Sequence, residues 1–345
     1  MYITEKEIFS QYEALEKTYK YLMDNSDKIR AIFEKAGVKS VTFTGSGSSY
    51  SLCKSAELST KMRTGMTAHS LAAGDLMMNF NDYEKLIKDT ILITPSRSGS
   101  TSEVVMAVKK AKNLVAATIS ICATKDSDLS QIVDLSLEIP WAFDESVCQT
   151  RTVTNLYFAN LMIVGIVVDD KSLLEELKKA VSNGSNYMRA NTEILRGIGE
   201  EDWEKIVVLG DSELEGIAEE GALAFKEISK LPSNYYHLLD VRHGPMVLID
   251  KYTLVIAVCT PNGMEYQKNL FSDIKGKGAR LITVSTEDKE TWGSDFNIKI
   301  EKYNNYGVAG VPFIFVPQVL SLFKAISNGI NPDIVEGLTP WIKLK

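Results

Sequence analysis

The alternation of apolar and polar positions changes character near residue 40. Before it, residues 4–36 carry apolar positions at helical spacing on an almost charge-balanced background, seven acidic residues to six basic, which predicts two helices packed as an N-terminal cap. From Ser40 onward, short β-branched runs alternate with helical stretches. Strands are predicted at Val41-Thr42-Phe43-Thr44, Ile91-Leu92-Ile93 and Thr118-Ile119-Ser120-Ile121, with a helix from about Ser49 and a long apolar helix at about 152–168. The order then repeats: Ile206–Leu209, a helix from about Glu213, Leu254–Val258, Leu281–Val284, and an apolar helix near 313–327. Corresponding strands lie 163–165 residues apart, which predicts two copies of one fold. Strands alternating with helices give an α/β class, each copy a parallel sheet flanked by helices in a doubly wound, three-layer sandwich. The expected division is a helical cap at 1–36, a first domain at 37–170, a helical linker at 171–200, a second domain at 201–330 and a tail at 331–345.

Composition removes several functional classes. The 345 residues suffice for about two domains. A net charge of −7 provides no basic field for nucleic acid, so no nucleic-acid partner is expected. The segment Met1–Glu7 is acidic where a signal peptide would be basic and then apolar, and no run of eighteen uncharged apolar residues is expected, so the chain reads as cytoplasmic with no membrane partner. Cys53, Cys122, Cys148 and Cys259 are widely spaced without a Cys-x-x-Cys pair, and only His69, His237 and His243 are present. Neither a disulfide nor a metal site is expected.

Doubly wound sheets bind ligands at the carboxyl ends of their strands. There the first half carries Gly45-Ser46-Gly47-Ser48-Ser49-Tyr50 and Ser96-Arg97-Ser98-Gly99-Ser100-Thr101, each leading into a helix. Glycines let the backbone aim several N–H groups at one point, hydroxyls add donors, and the helix N-terminus adds partial positive charge. Two such loops suit a phosphate monoester, with Arg97 as a forked partner for its oxygens. The same residue types also serve simply as turns and N-caps. A dinucleotide site is disfavoured: Tyr50 stands where the third glycine of G-x-G-x-x-G belongs, and no acidic residue ends the next strand, Met66–Ser70. No Gly-Lys-Ser/Thr follows, so a Walker loop is excluded as well. No cofactor is expected. In the second copy Thr260-Pro261-Asn262-Gly263 replaces the serine-rich loop; Pro261 lacks an N–H, so this copy has lost the cradle and is free to supply something else.

Along the helix Glu213–Ser229, Leu214, Ile217, Ala218, Gly221, Phe225 and Ile228 form an apolar stripe. Glu220, Ala224 and Glu227 share one flank of it, where a half-buried carboxylate can serve as a base. Surface helices are also rich in solvated glutamates. Lys226 falls on the other flank and reads as a surface residue. His243, in Arg242-His243-Gly244-Pro245, sits in a loop that would present an imidazole to a ligand, or in a turn with no role. His237 and His69 fall within strand runs and read as packing or surface residues.

Taken together, Gly47-Ser48-Ser49-Tyr50, Ser96-Arg97-Ser98-Gly99-Ser100-Thr101, Glu220-Gly221-Ala222-Leu223, Lys226-Glu227-Ile228-Ser229 and Arg242-His243-Gly244-Pro245 resemble the sugar isomerase (SIS) family, from about residue 30 onward and in the family's order. The match is nearest to the isomerase half of glucosamine-6-phosphate synthase and to stand-alone isomerase and deaminase relatives. The resemblance implies tandem SIS domains that bind a hexose or hexosamine 6-phosphate. It assigns Ser49, Ser96, Arg97, Ser98 and Thr101, with the glycines Gly47 and Gly99 and with Ser48, to the phosphate loops, and Val147, Gln149 and Glu220 to the sugar. It makes Glu227 the group that moves a proton between C1 and C2, and His243 a ring-opening histidine supplied by the neighbouring subunit. A homodimer with a shared active site is therefore implied.

Two family lysines are missing: the one three positions before the glutamate is Ala224, and the C-terminal imine-forming one aligns with Pro340, with Lys343 three residues on. Glutamine-dependent amination is not expected, because the sequence shows no N-terminal amidotransferase domain. A substrate that already carries nitrogen needs no enzyme imine. The expectation is accordingly an isomerase/deaminase for a hexosamine or fructosamine 6-phosphate. A fructosamine-6-phosphate deglycase, a plain aldose–ketose isomerase and, in another class, a non-catalytic sugar-phosphate sensor remain as alternatives.

Overall fold

Each half of the chain lays down five short parallel strands. The computed structural model describes residues 1–344. In the first unit, formed by 9–182 with 336–345, the strands are β1 (Ser40–Gly45), β2 (Thr67–Ala72), β3 (Ile91–Ser96), β4 (Ala117–Cys122) and β5 (Leu135–Glu138), in the order β2-β1-β3-β4-β5. In the second unit, 1–8 with 183–335, they are β6 (Lys205–Leu209), β7 (Ser233–Tyr236), β8 (Thr253–Val258), β9 (Arg280–Ser285) and β10 (Phe296–Lys299), ordered β10-β9-β8-β6-β7. Counted within its own unit, each sheet runs second, first, third, fourth, fifth, with every pair parallel. The repeat in the sequence is a repeat of topology.

Strands with helices on both faces must be apolar throughout, and every residue of β3, β4 and β8 is buried. β5 and β10, at the sheet edges, are four residues long and mostly half-buried, and their pattern did not announce them. In the first unit the chain reverses direction across the sheet between β1 and β3. Their pairing stops at Phe43–Ile93, and Pro95, which has no N–H to offer a neighbour, lies beyond that point where the two strands part.

Three expectations need correction. Residues 3–36 form three helices, Ile3–Phe9, Gln11–Asp24 and Ser26–Ala36, instead of two over 4–36, because the helical path breaks at Ser10 and Asn25. They are not one cap: residues 1–8 group with the second unit, where Asp333 Oδ1 accepts from the Thr4 N–H and hydroxyl at 2.8 and 2.9 Å. The helix Gln11–Asp24 belongs to the first unit and packs on Arg151–Val167 through Thr18 Oγ1 to Asn155 Oδ1 (2.6 Å) and Thr154 Oγ1 to Gln11 Oε1 (2.7 Å). Finally, an uncharged stretch does exist. Tyr306–Ser327 is long and apolar enough to cross a membrane, but 94% of its 18-residue window is buried inside the protein, as in a core helix.

The unit boundary at 182/183 falls within a continuous helix, Lys171–Gly199.

Candidate functional site

The loops after β1 and β3 flank the point where those strands part, which is where a doubly wound sheet opens a crevice. After β1, Gly47 holds φ +55° and leads into the helix Ser48–Thr64, whose first residues Ser48 and Ser49 are buried. After β3, Ser96 Oγ accepts from the Gly99 N–H at 2.9 Å and Ser98 Oγ from the Ser100 N–H at 3.2 Å, so the hydroxyls fix the loop they belong to. Gly99 holds φ +61°, and a Cβ there would lie 2.3 Å from Ser127 Oγ; only glycine fits. Thr101 precedes the helix Ser102–Ala111, yet the Ser102 N–H does not point at open space. It donates to the Ile342 carbonyl at 3.1 Å.

Arg97 is committed in a way its sequence context did not reveal. The side chain is 4% exposed, and Nη1 donates to the Ser146 carbonyl at 2.8 Å while Nη2 donates to the Pro340 carbonyl at 2.5 Å. Both terminal nitrogens thus tie backbone segments to the loop after β3. Val147 and Gln149 follow Ser146 directly, and the buried Oε1 of Gln149 accepts no hydrogen bond among the described residues.

The same segment is organised by a group that the sequence did not single out. Asp144 is 1% exposed and accepts from the Thr150 and Thr152 N–H groups at 2.7 and 2.8 Å, with Arg151 Nε 3.6 Å away. Burial pushes its carboxyl pKa up, against the two amides, Arg151 and Arg97, which favour the charged form. Six and eight residues separate it from the amides it holds, outside the N-cap position Thr150, so no capping pattern announces it.

Against the loop after β3 lies an open cavity of about 490 Å³. Ser98 and Ser100 come to it from the loop after β3, Thr124 and Lys125 from the loop after β4, and Trp341 and Lys343 from the C-terminal segment. Among the described residues no acidic side chain lines it.

In the second unit the helix Glu215–Ala224 widens into a π-helical turn, Phe225–Ser229, that carries Glu227. Such turns recur at functional sites because the extra residue per turn re-aims a side chain. Glu220 and Ala224 are buried, Glu227 is half-buried and Lys226 is exposed, the order that the 3.6-residue period predicts. Close packing holds this helix: a Cβ on Gly221 would meet Pro317 Cγ at 3.0 Å. A further buried carboxylate, Glu213, accepts from the Gly307 N–H at 3.2 Å and was not read as anything from its pattern.

His243 is exposed on a loop where Gly244 holds φ +125°, and Val247 and Leu248 nearby are 80% and 61% exposed. His237 instead meets Asp211 Oδ1 at 3.2 Å, and burial holds the His69 pKa below its usual value. At the corresponding end of the second sheet a cavity of about 190 Å³ is lined by Thr260, Glu287, Trp292, Glu301 and Tyr303, with its two carboxylates coming from the segments after β9 and β10.

The four cysteines are buried; burial pushes the thiols of Cys53 and Cys259 up, and that of Cys122 to about 11, so these three stay protonated at neutral pH. Among the described residues no three His, Cys, Asp or Glu side chains converge as a metal site requires.

A family model described as "SIS domain" matches residues 36–164 and 201–323. A glutamine–fructose-6-phosphate aminotransferase [isomerizing] of Sulfurisphaera tokodaii is 26% identical over 345 residues, covering 99% of this chain and 56% of the relative. The chain therefore spans about half the length of the curated relatives it matches. Among solved structures, a glucosamine-6-phosphate deaminase of Thermotoga maritima superimposes with TM-score 0.84 at 26% identity, covering 99% of this chain and all of the other. A putative tagatose-6-phosphate ketose/aldose isomerase of Clostridium novyi gives TM-score 0.90 at 21% identity over 99% and 94% of the two chains, a likeness of fold.

Proposed function

Because the chain belongs to the SIS domain family, we propose that it is a phosphosugar isomerase/deaminase, moving a proton between C1 and C2 of a hexosamine or fructosamine 6-phosphate. The observation that carries this is the pair of loops at the β1/β3 parting. Glycines at positive φ and buried or loop-fixing serines form each of them, and a cavity lined by no carboxylate of the described residues lies against the second.

In this reading Ser49, Ser96, Ser98 and Thr101 hold the phosphate, with Gly47, Ser48 and Gly99 shaping their backbone. Arg97 acts as a positioning residue, since its terminal nitrogens already hold the Ser146 and Pro340 carbonyls. The segment Val147–Gln149, which Ser146 anchors, meets the sugar, and the buried Gln149 Oε1 is an acceptor awaiting a hydroxyl. Anchoring a remote phosphate lets binding energy orient the reacting end.

Glu227 is the proposed base, with Glu220 about two turns earlier on the same flank as a sugar contact. For a 2-amino aldose, the carboxylate removes the C2 proton and returns it to C1, leaving a C2 imine that water hydrolyses to ketose and ammonia. For a fructosamine, the proton leaves C1 and returns to C2, and water releases the amine and the aldose. Both substrates bring their own nitrogen, which suits a chain with Ala224 and Pro340 at the lysine positions of the resembling enzymes. His243 assists ring opening from a second copy. The apolar surface beside it, Val247 and Leu248, suits burial in a homodimer.

The test is NMR in deuterated water with hexose, hexosamine and fructosamine 6-phosphates. Solvent deuterium should enter C1 or C2 of one of them, with ammonia or amine released. Glu227→Gln should lower that rate by about 10²–10⁴-fold while sugar-phosphate binding persists. Binding without any exchange would make the protein a sensor, and an unimpaired Glu227→Gln would remove the base.

A further inference from the structure

We propose that Lys125 and Lys343 are the charged partners of the phosphate dianion; this rests on reading the cavity beside Ser98, the one residue of the proposed phosphate set that lines it, as the open side of the phosphate site. A phosphate monoester carries close to two negative charges at neutral pH, and a hydroxyl cradle supplies donors without neutralising that charge. Arg97, the cation that the loop sequence offers, has both terminal nitrogens on backbone carbonyls. The cavity nevertheless holds two ammonium groups, one from the loop after β4 and one from the tail.

Two like charges on one cavity repel unless an anion joins them. Among the described residues no carboxylate lines the cavity, and neither Lys125 nor Lys343 takes part in a hydrogen bond or ion pair. Asp126, next to Lys125 in sequence, is exposed and off the lining, and its N–H donates to Glu138 Oε1 at 3.1 Å. Ser98 and Ser100 share the same wall, while the Thr124 hydroxyl already donates to the Arg97 carbonyl at 3.1 Å. Two ammonium groups and two hydroxyls, with no acid among the described residues, make up the donor set for a dianion.

The tail is placed by its backbone. The Pro340 carbonyl is held by Arg97, the Ile342 carbonyl accepts from the Ser102 N–H at 3.1 Å, and the Leu344 N–H donates to Ser102 Oγ at 3.0 Å. Alternate residues are thus tied to the loop and to the start of the helix that follows it. The intervening side chains, Trp341 and Lys343, both line the cavity, as period-two alternation of an extended segment directs.

Calorimetric titration of the whole protein with inorganic phosphate, glucose 6-phosphate, fructose 6-phosphate and unphosphorylated glucose tests this. Lys125→Met and Lys343→Met should each weaken phosphate and 6-phosphate binding about tenfold and flatten its salt dependence, with Lys343→Arg restoring most of the affinity. Both lysines are exposed, so folding is not at stake. If both Met variants bind as the wild type does while Ser98→Ala weakens binding, the lysine clamp is wrong and the phosphate site stands. If Ser98→Ala changes nothing either, or the wild type binds none of the phosphates, the site reading fails and takes the clamp with it. Equal loss for unphosphorylated glucose would also overturn the clamp.

Discussion

Replacing Gly99 by alanine asks whether the loop after β3 needs glycine for its backbone, for room, or for both. At φ +61° an L side chain costs about 1–3 kcal/mol in backbone strain. A Cβ would also sit 2.3 Å from Ser127 Oγ, 2.5 Å from Ser127 Cβ and 3.0 Å from Cys122 Sγ. Both neighbours are buried and cannot swing into solvent, so overpacking adds about another 1–3 kcal/mol. Gly65 separates the two effects: at φ +68° and ψ +4° a Cβ there meets nothing within 4 Å, leaving left-handed backbone strain alone. In urea unfolding, Gly99→Ala should therefore be less stable than Gly65→Ala by about 1–3 kcal/mol. Adding Ser127→Gly to Gly99→Ala removes both Ser127 contacts and should recover most of that difference as a coupling in a double-mutant cycle. Because the Gly99 N–H is held by Ser96 Oγ, Gly99→Ala should also weaken 6-phosphate binding. Equal stability of the two alanine variants, or no coupling to Ser127, would refute the steric part of the reasoning.

If the surface beside His243 meets a second copy, Val247→Glu combined with Leu248→Glu should shift the protein toward monomer in sedimentation and lower turnover with it; a fully active monomer would refute the shared site. His69 provides a pH test. Its folded-state pKa lies below the ordinary 6.5 because burial penalises the cation, so the unfolded chain binds the proton more readily. Stability should rise with pH from that lowered value up to about 6.5 and be lost as pH falls through the same window. His69→Gln should flatten the pH dependence there; an unchanged slope would assign it to other groups.

The two sheets were legible because parallel strands buried on both faces must be apolar runs, and Ile91-Leu92-Ile93 and Leu254–Val258 are such runs. The turns after β1 and β3 were legible for a related reason: Gly47 and Gly99 mark positive φ, which a side chain rarely tolerates, and glycine is visible in any sequence. The flank of Glu220 and Glu227 followed from the 3.6-residue period, although the π-helical turn at Phe225–Ser229 did not, since that period assumes a regular helix. β5 and β10 escaped notice because a four-residue, half-buried edge strand carries too little pattern.

Elsewhere the path of the chain decided. Arg97 stands in a loop that reads as an anion fork, yet its nitrogens hold carbonyls at Ser146 and Pro340, far along the sequence. Asp144 and Glu213 look like ordinary acids until burial and backbone N–H groups surround them. Lys125 and Lys343 share a cavity only because residues 336–345 return to the first unit, while residues 1–8 group with the second. The sequence alone determined what depends on neighbours a few residues away: strand, helix, turn and buried face. Which charges meet depends on contacts closed across hundreds of residues, and no local pattern encodes the partner of a hydrogen bond at that range.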